Sequence, residues 1–388
     1  MDQIFAIRSI LGKCYECNIT LHQLFIDFKQ AYDSIKRGKL ILILEEFKIP
    51  RKLINLIGMT LRNTTGKVKV QNMMTEEFAI NKGLRQGDTL STKLFNVVLE
   101  KMMRHIQINK GGSIYKRTLQ ILAYAGDVNL IGRSTGRLND AVIQMEEGAN
   151  EVGLRINEER TKYMINTRNK VHFRNEKHLQ VYNYEFERVG KFKYLGSMIT
   201  ENSDNSTEIK ARIMARNSSY YSVLPLLRSK AISRTTKIRM NKTIIRAVVL
   251  YGSEAWCLTA NDEKNVRIWE RKVLRKIFGP ICVAGYWRSR TNEKVRQLYG
   301  ELDIVTEIKR GRLRWLGHVE RISEERVVKR LYQNTPEGSR SVGRPRLRWM
   351  DDVREDLRRM GVTNWRIHAH RRDDWKMVVK EAKVLQGL

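Results

Sequence analysis

The chain has 388 residues, 41% of them hydrophobic, enough to bury a sizeable core in two or three domains. Its 73 Lys and Arg against 42 Asp and Glu leave a net charge of +31, spread along the chain, which points to a polyanionic partner: nucleic acid, through counterion release, ahead of an anionic membrane surface. No apolar run approaches the roughly 18 residues of a membrane helix, Met1-Asp-Gln-Ile-Phe lacks a signal-peptide layout, and four cysteines are too few for a disulfide framework, so the expectation is a soluble intracellular protein without a membrane partner.

Apolar residues at helical spacing over Asp2 to Lys13 predict an amphipathic helix. Cys14 and Cys17 follow in C-x-x-C spacing, with no second close pair to complete a tetrahedral zinc site. Leu21 to Phe28 reads as a buried strand ending on Asp27, and a carboxylate emerging from an apolar strand is usually paired or bound to metal. A helix is expected from Ile35 to Phe47 with Asp33 as its cap, and another opens at Pro50 and runs through Leu61. Lys67 to Gln71 and Glu77 to Ile80 form an expected hairpin with one wet face. Lys82 to Ser91 is a glycine-punctuated loop leading into a helix from Thr92 to Ile108. Its Arg85, Gln86 and Ser91 offer donors to phosphate or base, although a loop ending in a helix cap looks the same.

Leu119 to Tyr124 and Val128 to Ile131 read as paired strands with Ala125-Gly126-Asp127 at the turn. A helix from about Leu138 to Val152, a strand through Ile165 and a β segment from Lys191 to Ser197 complete this half. From about Thr207 the composition turns to basic amphipathic helices, near 207–227, 230–250, 262–278 and 323–333, read as an all-helical half. Ser339 to Arg348 is linker-like, and its Arg344, Arg346 and Arg348 are candidates for phosphate or minor-groove contact, for an import signal, or for a solvated basic loop. Trp349, Trp365 and Trp375 are expected core anchors. Asp351, Asp352 and Asp356 at helical spacing fit a solvated face, with a nuclease site as the remote alternative.

Asp27 at one strand end and Asp127 at a hairpin tip, if adjacent, could hold divalent ions for in-line phosphoryl transfer. The order strand-Asp, Gly-rich loop, Tyr-x-x-Asp hairpin, Gly153-Leu-Arg-Ile-Asn157 and Phe192-Lys-Tyr-Leu-Gly196 resembles the palm of reverse transcriptases from LINE-type non-LTR retrotransposons. Tyr251-Gly-Ser-Glu-Ala-Trp256, Arg314-Trp-Leu-Gly-His318 and Gly343-Arg-Pro-Arg346 resemble the C-terminal extension of the same open reading frames.

That resemblance implies an α+β fold, a polymerase palm with an antiparallel sheet and packed helices followed by a mostly helical thumb and C-terminal region. It divides the chain into a palm at 1–200, a basic helical thumb or connection at 201–335 and a small Trp-containing module at 336–388, with the fingers and an upstream endonuclease outside this chain. It implies two Mg²⁺ ions on Asp27 and Asp127, and nucleotide contacts from Phe28, Tyr32, Arg85, Gln86, Gly87 and Lys162. Tyr32 would exclude a ribose 2′-hydroxyl, and Phe192, Tyr194, Leu195 and Gly196 would form a primer grip. The implied partners are an RNA template, a DNA primer and deoxynucleoside triphosphates, in the nucleus or cytoplasm.

The chain departs from the family at two positions. The family's hairpin reads Tyr-Ala-Asp-Asp, whereas Gly126 stands here at the first aspartate, so activity is expected to be impaired or lost; a non-catalytic RNA- or DNA-binding protein or a decaying element copy is the alternative. Arg160 stands where the family usually has lysine.

Overall fold

Four strands pair into one antiparallel sheet: β1 (Leu21–Ile26), β2 (Leu119–Tyr124), β3 (Asp127–Gly132) and β4 (Lys162–Asn166), in the order β2-β3-β1-β4. All six residues of the central β1 are buried; Leu21, Leu24, Phe25 and Ile26 are apolar, while the buried His22 pairs with the Tyr163 hydroxyl at 2.6 Å and the Gln23 side-chain carbonyl accepts from the Asn129 amide at 3.3 Å. The computed structural model describes residues 1–106, 115, 119–169, 177–338 and 348–385. These divide into two compact units, Ile19–Phe192 and the combination of Met1–Asn18 with Lys193–Leu388. The first helix groups with the C-terminal half, with which it packs.

In Ile19–Phe192, the helices Arg37–Glu46, Thr89–His105 and Thr135–Val152 set Leu40, Leu44, Phe95, Val98, Leu138 and Met145 against Leu24, Val128, Leu130 and Ile165 in one core. Each such side chain contributes about 1.5–3 kcal/mol on burial. Two glycines are sterically required. Gly83, at φ +81°, has the Asp33 backbone 2.8 Å from where a Cβ would sit, and Gly153, at φ +92°, abuts the Ser34 carbonyl.

Several local expectations are corrected. Asp33 caps no helix, because Ile35 is extended and splits the region into Ala31–Ser34, begun after Gln30, and Arg37–Glu46, begun after Lys36. The helix after the glycine loop starts at Thr89, three residues early, because the Asp88 carboxylate accepts the Leu90 N–H at 3.1 Å. The hairpin expected near Lys67 is broken into two short pairings, Thr65–Gly66 with Phe78–Ala79 and Lys69–Val70 with Met73–Met74. Val70, Met73 and Met74 are exposed, so neither face is covered.

The other unit is mostly helical: Asn205–Arg228, Arg234–Met240 continuing through a π-helical turn to Leu250, Ala260–Phe278, Ile304–Arg321, Val327–Gln333 and three helices after Trp349. It is not all-helical as expected, since Ile281–Val283 and Tyr286–Arg288 form a hairpin. The N-terminal helix Asp2–Glu16 belongs here because Ile4 and Phe5 are buried with Ala255, Trp315 and Val319, while Lys13 Nζ donates to the carbonyls of Leu331 and Asn334, each at 2.7 Å, at a helix end. Trp375 is a core anchor, 2% exposed, and Trp349 and Trp365 pack partly buried beside it. Asp352 and Asp356 do not lie on a solvated face: both carboxylates pair with the buried Arg312 guanidinium. No described helix is long and apolar enough to cross a membrane.

Candidate active site

β1 and β3 run antiparallel with Ile26 opposite Val128, so the next pair outward is Asp27 and Asp127, the two carboxylates singled out above. Directly opposed side chains in such a ladder have Cβ atoms about 4.5–5.5 Å apart. On the other side, β4 brings Lys162 opposite Phe25, a register that continues to Arg160 beside Asp27. The two halves of the site therefore meet at one edge of the sheet.

The Gly153-to-Thr161 segment grips Asp27. Asn157 donates its backbone N–H to the Asp27 carbonyl at 2.8 Å and its side-chain amide to Asp27 Oδ2 at 3.3 Å. The Asp27 N–H donates to Thr161 Oγ1 at 3.2 Å, and Arg160 Nη1 lies 3.9 Å from Asp27 Oδ2. Asn157 and Thr161 were not among the expected site residues. The Gly153-Leu-Arg-Ile-Asn157 pattern was the only signal for Asn157, and it said nothing of its target.

Asp127 is the more exposed member of the pair, at the start of β3. Partial burial, reinforced by the like charge of Asp27, pushes its carboxyl above the ordinary range. Gly126 precedes it in a two-residue turn with Ala125 at φ +50°, and a Cβ at Gly126 would meet nothing within 4 Å.

Among the described residues, no group of three or more His, Cys, Asp or Glu side chains is placed to hold a metal ion. Two opposed carboxylates suit one hard cation with water completing its shell. They fall short of the donors a pair of ions needs, so the expected two-ion set is not assembled by these residues.

The remaining expected residues divide. Tyr32 is half-buried with its ring stacked on Phe95 at 4.6 Å, and its carbonyl accepts the Leu84 N–H at 2.8 Å, tying it to the loop that exposes Arg85, Gln86 and Gly87. Phe28 is a correction: it is 4% exposed in the core, so its side chain is not free to meet a nucleotide. Lys162 is held by Glu187 at 2.6 Å.

Phe192 stacks on Phe25 at 4.3 Å. Leu195 and Gly196, both at positive φ, make the tight turn between Lys191–Tyr194 and Ser197–Thr200, and Tyr251 donates its hydroxyl to the Leu195 carbonyl at 2.8 Å. Tyr194 is buried, which removes its side chain from an expected primer grip. Arg348 pairs with Glu16 at 2.6 Å, whereas Arg344 and Arg346 lie outside the described residues.

Residues 7–199 match the family described as reverse transcriptase (RNA-dependent DNA polymerase). This part of the chain belongs to the reverse transcriptase family. The chain is 26% identical over 275 residues to a putative uncharacterized transposon-derived protein of Caenorhabditis elegans, an alignment covering 68% of this chain and 96% of that protein. It is 26% identical over 200 residues to the Pol polyprotein of a type-1 R2 retrotransposable element of Nasonia vitripennis, covering 50% of this chain and 19% of the polyprotein. Apo telomerase from Candida tropicalis superimposes with a TM-score of 0.41 at 14% identity, over 87% of this chain and 57% of that one. The chain is thus a reverse-transcriptase-like protein derived from a non-LTR retrotransposon, spanning about a fifth of the R2 polyprotein it matches.

Proposed function

We propose that this chain keeps the template- and primer-holding surface of a reverse transcriptase while its nucleotidyl transfer is impaired. The observation carrying this reading is Gly126, next to Asp127 and across the strand pair from Asp27, in a position where the family it resembles has a carboxylate. Asp27 and Asp127 would hold one Mg²⁺, which would supply positive charge to the reacting phosphate. Asn157 and Thr161 orient Asp27, Tyr32 lies beside the exposed Arg85 and Gln86, and those two side chains offer donors to an incoming deoxynucleotide. A carboxylate about 4 Å from a cation contributes roughly 4 kcal/mol at an effective dielectric near 20. Felt in the transition state, that is about a thousandfold in rate.

Primer extension on an RNA template with Mg²⁺ and deoxynucleotides tests this. The expected result is weak or absent synthesis by the natural chain and a large gain on Gly126→Asp, lost again on adding Asp27→Ala. Robust synthesis by the natural chain refutes the impaired reading. The net charge of +31 favours a second reading, a non-catalytic RNA or DNA binder. Salt-sensitive binding of a primer–template, with no incorporation by either the natural chain or the Gly126→Asp variant, would select it.

A further inference from the structure

The hairpin Ile281–Val283 with Tyr286–Arg288 has no place in the reverse transcriptase reading, yet it exposes more aromatic surface than any element around it. Tyr286 is 80% exposed and Trp287 is 73% exposed, while the other tryptophans are buried or half-buried. The register pairs Val283 with Tyr286 and Cys282 with Trp287, so the two rings project from opposite faces, and the residues from Cys282 to Arg288 are all exposed. A two-stranded hairpin of this length is marginal by itself. Here its base is tied down: Arg290 Nε donates to the Gly279 carbonyl and Arg275 Nε to the Arg290 carbonyl, each at 3.1 Å. The tip is Ala284-Gly285, both at positive φ.

The base is strongly cationic. From Arg271 to Arg296 the chain carries eight Lys and Arg against the single acid Glu293. The Arg271 guanidinium is held below its ordinary range by burial and then by the like charges of Arg275, Arg267 and Arg296. Exposed rings on a hairpin flanked by basic residues match one class of ligand in both of its parts, because bases stack on aromatic faces while the connecting phosphates meet the cations.

We propose that this hairpin is a docking site for single-stranded nucleic acid, with Tyr286 and Trp287 stacking on unpaired bases and Arg288, Arg271 and Arg296 meeting the phosphates. The hairpin belongs to the other compact unit from the palm carboxylates, and binding to it does not require polymerase activity. Paired bases do not present their faces to it, so it discriminates a single strand from a duplex.

The test uses the full chain and fluorescence anisotropy with labelled oligouridylate, labelled oligothymidylate and an RNA–DNA heteroduplex. The Tyr286→Ala/Trp287→Ala variant is expected to bind single strands roughly tenfold to a hundredfold more weakly, one to two bases' worth of stacking, with heteroduplex affinity unchanged. Tyr286→Phe/Trp287→Phe, which keeps the rings, restores single-strand binding. Loss confined to one oligonucleotide supports the site and assigns it to RNA or to DNA. Unchanged single-strand affinity in the alanine variant, or an equal loss on heteroduplex, overturns it. So does a changed sedimentation coefficient with unchanged single-strand affinity, which makes the surface a contact between protein copies. Heteroduplex binding retained while single strands fail to bind the natural chain removes this inference and leaves the primer–template reading standing.

Discussion

Asp127, Gly83 and Gly126 make different demands on substitution. The folded chain holds the Asp127 proton more tightly than the unfolded chain does. Well below the ordinary carboxylate range the group is protonated in both states and has no effect. As the pH rises through about 3.9 the unfolded chain ionises first, and the folded state loses stability that it does not regain at neutral pH. Asp127→Asn is therefore expected to melt at a higher temperature than the natural chain at pH 7, with the gap closing as the pH is lowered through that range; a gap that widens in acid contradicts the assignment. Gly83→Ala forces a Cβ into the Asp33 backbone at positive φ and is expected to cost about 1–3 kcal/mol in chemical denaturation. Gly126→Ala has open space and no positive φ, and its denaturation midpoint should stay near that of the natural chain.

At the level of elements, the helix Ile304–Arg321 organises the C-terminal unit with residues that look wrong for a core. Arg312 is 1% exposed and holds Asp352 at 2.6 Å and Asp356 beside it. Arg312→Met leaves two buried carboxylates facing each other and is expected to cost about 3–5 kcal/mol, measured by denaturant titration. Adding Asp352→Asn and Asp356→Asn should recover part of that loss. Gly317 gives Trp375 its seat: a Cβ there would collide with the indole, whose Nε1 donates to the Leu313 carbonyl at 2.8 Å. Gly317→Ala should displace Trp375 and shift its fluorescence toward the red.

This helix was not read from the sequence, because Gly311 and Gly317 lower its intrinsic propensity and its buried face includes Lys309 and Arg312. β1, β2 and β3 were legible through their apolar runs and the turn between β2 and β3. The carboxylate pair was legible because each acid ends an apolar strand, whereas Asn157 and Thr161 act through bonds across the β1–β4 ladder that only tertiary pairing creates. The Ile281–Arg288 hairpin escaped because its strands are three residues each and its Ala-Gly turn is a weaker signal than Asn-Gly.

For the whole molecule, a charge of +31 makes nucleic-acid affinity a function of ionic strength. The logarithm of the heteroduplex binding constant is expected to fall with the logarithm of salt concentration with a slope of roughly −4 or steeper, as four or more phosphate contacts require. A flat dependence would exclude a surface built on phosphate contacts. The helix Asp2–Glu16 has a different whole-chain consequence. It is synthesised about 310 residues ahead of its partners: Phe5 rests against Trp315 and Trp349, and Glu16 pairs with Arg348. Its apolar face therefore waits through the synthesis of all the intervening residues before these partners exist, a delay in which chaperones compete with aggregation. Truncation before Trp315 removes Trp315, Val319 and Val328 from the cluster around Ile4 and Phe5, so such fragments are expected to be less soluble than the full chain in a sedimentation assay.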